Sequence, residues 1–197
     1  MSAPSSLAFG AGGPFYVVIF WVIYVSWVSS ELVLNTRRRA ASPKGRDFAI
    51  LVLVFSIAIC LAFGSALFLP TLMIPWTRAV FWAGVCCVLA GTALRRYAVA
   101  TLGRYFTVDV ATEASQPVID TGPYRLVRHP AYSGVLLSLL GFALALGNWA
   151  SLAAMLVLPS AGLTYRIAIE ETALLSTLGD PYARYMHHTW RLIPFVL

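Results

Sequence analysis

The chain has 197 residues, 59% of them hydrophobic and 11% charged, where a soluble domain carries roughly 25% charged residues. That excludes a water-soluble globule, a disordered chain and a disulfide-rich mini-protein. The net charge of +6 comes from 14 basic and 8 acidic residues, but the apolar runs leave no separate basic domain for nucleic acid, and basic loops facing a cytoplasmic leaflet account for the excess.

Met1 to Gly13 holds no Lys or Arg, unlike the basic start of a signal peptide, and reads as a short extension leading into the first span. An apolar run of about 18 or more residues can cross a bilayer as a helix. Phe15 to Leu34 and Phe48 to Leu69 qualify, with Glu31 the one charge in either, and the basic segment Arg37 to Arg46 turns one into the other as a helical hairpin. A third run, Trp76 to Ala100, follows Pro70 and Pro75 and exits at Arg95 and Arg96. The fourth, Ala131 to Gly147, is short but strongly apolar, and Asn148-Trp149 reverses it into a fifth, Trp149 to Leu178. The last two form a second hairpin. The expected fold is all-α, a polytopic membrane protein of about five transmembrane helices in one domain, 1–197. Residues 15–75 make the N-terminal hairpin and 76–197 the region that carries chemistry.

Basic residues collect on the cytoplasmic side of membrane proteins. With the N-terminus outside, 13 of the 14 basic residues fall inside, Arg78 being the exception, and all acidic residues and histidines lie at or beyond inner helix ends. The polar chemistry and the C-terminus therefore belong to the cytoplasmic face.

Two polar segments are longer than connectors require. The first, Thr101 to Pro130, ends in Gly122-Pro123-Tyr124 and Arg128-His129-Pro130-Ala131-Tyr132-Ser133-Gly134. Pro130 can open a helix, whose free amides suit an anion; equally, Gly122-Pro123 is a turn and Arg128-His129 a pair snorkelling to the interface. The second runs from Arg166 to the C-terminus, with Glu170 four residues on and Glu171 beside it. Charges on a transmembrane helix mark partners or a water-filled cavity, and the alternative is an i, i+4 salt bridge at the helix exit. Beyond Gly179, a short amphipathic stretch leads to Trp190-Arg191-Leu192-Ile193-Pro194-Phe195, read as an interface anchor, and His187-His188 as interface residues. Cys60, Cys86 and Cys87 lie in apolar runs and behave as small hydrophobes. No Walker loop, dinucleotide fingerprint, nucleophile elbow or zinc spacing occurs, so no metal is expected.

Gly122-Pro123-Tyr124, Arg128 to Gly134, the helical hairpin, Arg166, Glu170-Glu171, then Leu175, Gly179, Tyr182, Tyr185 and Arg191-Leu192-Ile193-Pro194 together resemble the isoprenylcysteine carboxyl methyltransferase family over about Leu94 to Leu197. The resemblance implies an S-adenosylmethionine-dependent enzyme without a Rossmann domain. It implies a cofactor pocket lined by Gln116, Pro117, Val118, Ile119, Tyr124, His129, Pro130, Ala131 and Tyr132, with Glu170 holding the methionine end. It also makes Arg166 the substrate-carboxylate arginine and Arg95 a second functional arginine. The chain departs from the family at Gln116, where relatives often have His, and at Asp120-Thr121, where they often have Thr-Ser.

The chemistry suits these residue types. Methyl transfer from a sulfonium is an in-line displacement in which the protein aligns donor and acceptor within roughly 3 to 3.5 Å and excludes water. A carboxylate acceptor, with a pKa near 3.5, needs a cation but no base; an amine would need Glu170 or Glu171 as base. A soluble donor must enter from the cytoplasm and a lipophilic acceptor sideways from the bilayer, which places the pocket at the inner ends of the third to fifth helices, capped by the C-terminal tail. The competing readings are a phospholipid or other lipid amine N-methyltransferase, a sterol reductase with a nicotinamide cofactor, and a non-enzymatic channel, transport or assembly subunit.

Overall fold

The structure, a computed structural model, describes residues 13–37, 46–75, 77–106 and 117–194. The described residues form α1 (Pro14–Arg37), α2 (Arg46–Phe68), α3 (Thr77–Leu102), α4 (Pro130–Leu146), α5 (Trp149–Leu178) and α6 (Asp180–His188), and no strand occurs among them. The five expected apolar helices are all present, each end within a few residues of its predicted place. Four of them, α1, α2, α3 and α5, are long and apolar enough to cross a membrane. The fourth, α4, has 17 residues, about 25 Å of helix, at the lower limit for a span. At 30 residues, α5 is about 45 Å long and exceeds the hydrocarbon layer, which carries its acidic turn toward the interface.

Packing is tightest between α3 and α4, and glycine is the reason. A Cβ on Gly84 would lie 2.5 Å from the Gly141 carbonyl oxygen, and one on Gly91 equally close to that of Gly134. Within a bilayer, helices associate through such close approach because lipid tails solvate apolar side chains as well as a neighbouring helix does. The two crossings put the backbone of Gly134 against Arg95, so the glycines that close the bundle also set where Arg95 stands. In contrast, α1 is held off by aromatic rings. Phe20 meets Phe63 edge-on at 5.8 Å, Tyr24 meets Phe142 at 5.5 Å and Trp27 meets Phe142 at 5.4 Å.

At the end of the bundle opposite the basic residues, Gly147 terminates α4 with φ of 66°, a conformation that costs a glycine little. Asn148 then caps α5, its Oδ1 accepting from the amides of Ala150 and Ser151. Its Nδ2 donates to the Leu69 carbonyl at 2.9 Å, which ties the α4–α5 reversal to the end of α2. The Ser151 hydroxyl donates to the Ala62 carbonyl at 2.7 Å, a second polar link between α2 and α5.

Candidate functional site

The charged residues converge at the basic end of the bundle in two adjoining groups. The first lines a cavity of about 390 Å³, within the range that takes small ligands. Its walls are apolar side chains of α1 and α2, among them Tyr24, Trp27, Leu51 and Phe55, together with Val135 and Leu163; its polar end carries Glu31, Arg95, Tyr132 and Arg166. The sequence placed this pocket among the third to fifth helices. Residues of α3, α4 and α5 do line it, and α1 and α2 add much of the wall, because the aromatic rings that separate α1 from α4 leave room beside them for a cavity that apolar patterning does not reveal.

Arg95 and Arg166 are both buried, at 8% and 4% exposure, and reach the cavity from α3 and α5. Arg95 donates from Nε to Glu31 at 2.6 Å and from a terminal nitrogen to the Ala131 carbonyl at 3.4 Å. It thus links α1 to the first turn of α4. The Tyr132 hydroxyl donates to Glu170 at 2.9 Å, and Arg166 bonds to that same hydroxyl. Glu170 is bound by a residue from another helix, so its role extends beyond the i, i+4 pairing that the spacing allows. Trp27 adds a buried indole N–H to the wall with no hydrogen-bond partner among the described residues, a donor available to a ligand.

The second group is centred on Glu171. Arg128 donates from Nε to one carboxylate oxygen at 2.8 Å, His129 Nε2 lies 3.3 Å from the same oxygen, and Arg191 donates to the other at 2.8 Å. Arg128 also donates to the carbonyls of Met186 and Thr189. Main-chain bonds join Arg128 N to Trp190 O at 2.7 Å, His129 N to Arg191 O at 3.1 Å and Trp190 N to Leu126 O at 3.0 Å. Arg128 and His129 are therefore held in a buried ionic cluster, not snorkelling to the interface. Trp190-Arg191 is stitched to the segment before α4 and does more than anchor a tail. The sequence offers Glu171 as a neighbour of Glu170, a motif residue and an alternative base for an amine acceptor, but does not reveal it as the hub. The available signal was three basic residues, Arg128, His129 and Arg191, with few acids near enough to pair with them.

The loop residues fall into place around these groups. Pro130 opens α4, and His129 precedes it, its ring stacked on Tyr132 at 5.7 Å between centroids. Ala131, Tyr124 and Ala98 form a small buried cluster against which Ile119 packs. Pro117 and Val118 precede it as irregular chain, Pro117 exposed, and Gln116 lies outside the described residues. Gly122 takes φ of 56°, and a Cβ there would meet the Tyr97 hydroxyl at 2.9 Å, so the turn Gly122–Arg125 sits close against α3. Tyr185 donates to the Tyr124 carbonyl at 2.7 Å, joining α6 to that turn. Burial first, and then the negative charge of Glu170, push the Tyr124 phenol well above its ordinary pKa, so it remains a neutral hydroxyl at physiological pH. His187 and His188 are exposed on α6, as interface residues would be. No group of three or more potential metal ligands occurs among the described residues.

The donor set suits a cationic methyl donor. A sulfonium and an ammonium need carboxylate and aromatic faces, and Glu170, Tyr132, Tyr124 and the His129 ring supply them at one end of the bundle. The residues present fit such a group.

A profile of the isoprenylcysteine carboxyl methyltransferase (ICMT) family matches residues 83–176. The chain is 33% identical over 147 residues to the "Probable protein-S-isoprenylcysteine O-methyltransferase" of Oryza sativa subsp. japonica, covering 74% of this chain and 76% of the relative. It is 30% identical over 174 residues to protein-S-isoprenylcysteine O-methyltransferase B of Arabidopsis thaliana, covering 85% and 87%. Among solved structures it is similar to the eukaryotic intramembrane Ras methyltransferase ICMT, with a TM-score of 0.59 and 25% identity, over 79% of this chain and 55% of that one.

Proposed function

The chain belongs to the isoprenylcysteine carboxyl methyltransferase family, and from that premise we propose that it is a membrane-embedded methyltransferase that uses S-adenosylmethionine to esterify the carboxylate of a lipophilic acceptor such as a prenylated cysteine. The observation that carries this reading is an apolar cavity ending on two buried arginines, Arg95 and Arg166, beside the Tyr132–Glu170 pair. A lipid tail gains by filling the apolar part, and its carboxylate replaces hydration with guanidinium donors in a site of low dielectric.

S-adenosylmethionine, when bound, supplies a methyl group on a positively charged sulfur. Pro117, Val118, Ile119, Tyr124, His129, Pro130, Ala131 and Tyr132 would line its site, Gln116 would extend it, and Glu170 would hold its ammonium. Arg166 and Arg95 hold the acceptor carboxylate by charge-assisted hydrogen bonds, and the apolar walls of α1 and α2 exclude water. No proton has to move at the acceptor, because a carboxylate is ionised at neutral pH. The residue pattern supports a topology with the N-terminus outside and this end of the bundle cytoplasmic, so that the acceptor arrives laterally from the bilayer and the donor from the cytosol. Since residues of α1 and α2 line the same cavity as those of α3 to α5, the whole chain acts as one catalytic unit.

The test incubates detergent-solubilised protein with methyl-labelled S-adenosylmethionine and either N-acetyl-S-farnesylcysteine, a prenyl-chain fatty acid or phosphatidylethanolamine. Label released as methanol by mild base from an acid acceptor is expected. Base-stable label on the amine lipid, or no transfer to any acceptor, would overturn the carboxylate reading.

A further inference from the structure

The charge that the sequence leaves unexplained is Glu31. It is the only acidic residue of α1, in a helix that is otherwise apolar until its basic exit, and a carboxylate within a span is expensive unless it has a partner or a function. Its partner is Arg95, at 2.6 Å, with both side chains largely buried. Both line the cavity, where Arg166 also stands. A buried ion pair of this kind is weak evidence for stability, since apolar residues of similar volume commonly do as well; its presence calls for another reason.

We propose that Glu31 is a positioning and specificity residue, which holds Arg95 in place and sets the net charge of the acceptor site. Among the described residues that line the cavity, the two guanidiniums of Arg95 and Arg166 stand against the one carboxylate of Glu31, a balance of +1. That balance matches an acceptor with a single carboxylate on an apolar tail. An acceptor bearing two acidic groups would bring a second negative charge into a site with one net positive charge to meet it, and is rejected on that ground. Arg95 offers five N–H donors; Glu31 takes Nε and Ala131 takes one terminal nitrogen, which orients the remaining donors. The pairing also ties the acceptor side of the site to the first turn of α4, where His129, Pro130 and Ala131 lie.

This inference rests on the carboxylate reading above, and its test separates the two. Binding of three probes with one farnesyl tail is measured without methyl donor: N-acetyl-S-farnesylcysteine, its methyl ester, and S-farnesyl mercaptosuccinate, which carries two carboxylates. A wild-type protein that binds the ester as well as the acid refutes the carboxylate reading itself. Given an acid preference, Glu31→Gln is expected to shift the ratio of monoanion to dianion affinity by about tenfold or more toward the dianion. Glu31→Asp, which keeps the charge, should stay near the wild-type ratio. The double variant E31Q/R95Q restores a balance of +1 without leaving a buried charge unpaired, and should return toward the wild-type ratio although the ion pair is gone. Because each ratio is taken within one preparation, it does not depend on the fraction folded. A ratio unmoved in E31Q, or one that E31Q/R95Q leaves as displaced as E31Q does, would overturn the proposal.

Discussion

Replacing Glu171 by Ala removes the carboxylate on which Arg128, His129 and Arg191 converge. The contributions differ by exposure. The Arg128 and Glu171 side chains are 9% and 6% exposed, whereas that of Arg191 is 41% exposed. Breaking a buried pair by deleting one partner costs about 3–5 kcal/mol, because the other charge stays behind without solvent or partner; a solvated pair contributes about 0–1 kcal/mol. Arg128 would keep the carbonyls of Met186 and Thr189, which places the expected cost of Glu171→Ala near the lower end, at about 3 kcal/mol. Arg191→Ala should cost about 1 kcal/mol or less. SDS-titration unfolding in mixed micelles measures both. Hydrogen exchange supplies a local readout: the amides of Arg128, His129 and Trp190, which form the main-chain bonds between the tail and the segment before α4, should exchange earlier in Glu171→Ala while those of α3 do not. Equal costs for the two variants, or a cost below about 1 kcal/mol for Glu171→Ala, would refute the reading of Glu171 as a buried hub.

Arg166→Ala should raise KM for the acid acceptor by about thirtyfold or more, the equivalent of 2 kcal/mol for a buried charge-assisted bond, in the methyl-ester release assay. Tyr132→Phe, which removes the hydroxyl shared by Glu170 and Arg166, should weaken donor binding by calorimetry and cost about 1–3 kcal/mol of stability. Gly91→Val should cost more than the 1–3 kcal/mol typical of overpacking, since the obstacle is the Gly134 backbone; Gly64→Ala, with nothing within 4 Å of the added Cβ, is the neutral control in the same thermal unfolding series. Asn148→Ala should lower stability by about 1–3 kcal/mol by removing a helix cap and the side-chain bond that ties it to the Leu69 carbonyl.

The sequence by itself determined the number, order and approximate ends of the apolar helices, because each depends on a local property: the length of an uncharged run and the punctuation by Pro, Gly and basic clusters. It also identified Arg95, His129, Tyr132, Arg166 and Glu170 as residues of interest, since charge in an apolar helix is conspicuous along the chain, and the ordered motifs from Gly122 to Pro194 carried the family. Pairing was beyond it. Arg166 and Glu170 sit at salt-bridge spacing, yet Tyr132 from α4 bonds to both. Glu171 looked like an accessory to Glu170, yet three basic residues from two distant segments meet on it. Glu31 and Arg95 are 64 positions apart, and no periodicity relates them. The cavity depends on a contrast that composition does not express. Glycines let α3 and α4 nearly touch while bulky rings hold α1 away, and the room left beside those rings is where α1 and α2, which carry no motif of their own, become walls of the site. Local chemistry along the chain specifies which residues are costly to bury; only the tertiary packing decides which of them meet.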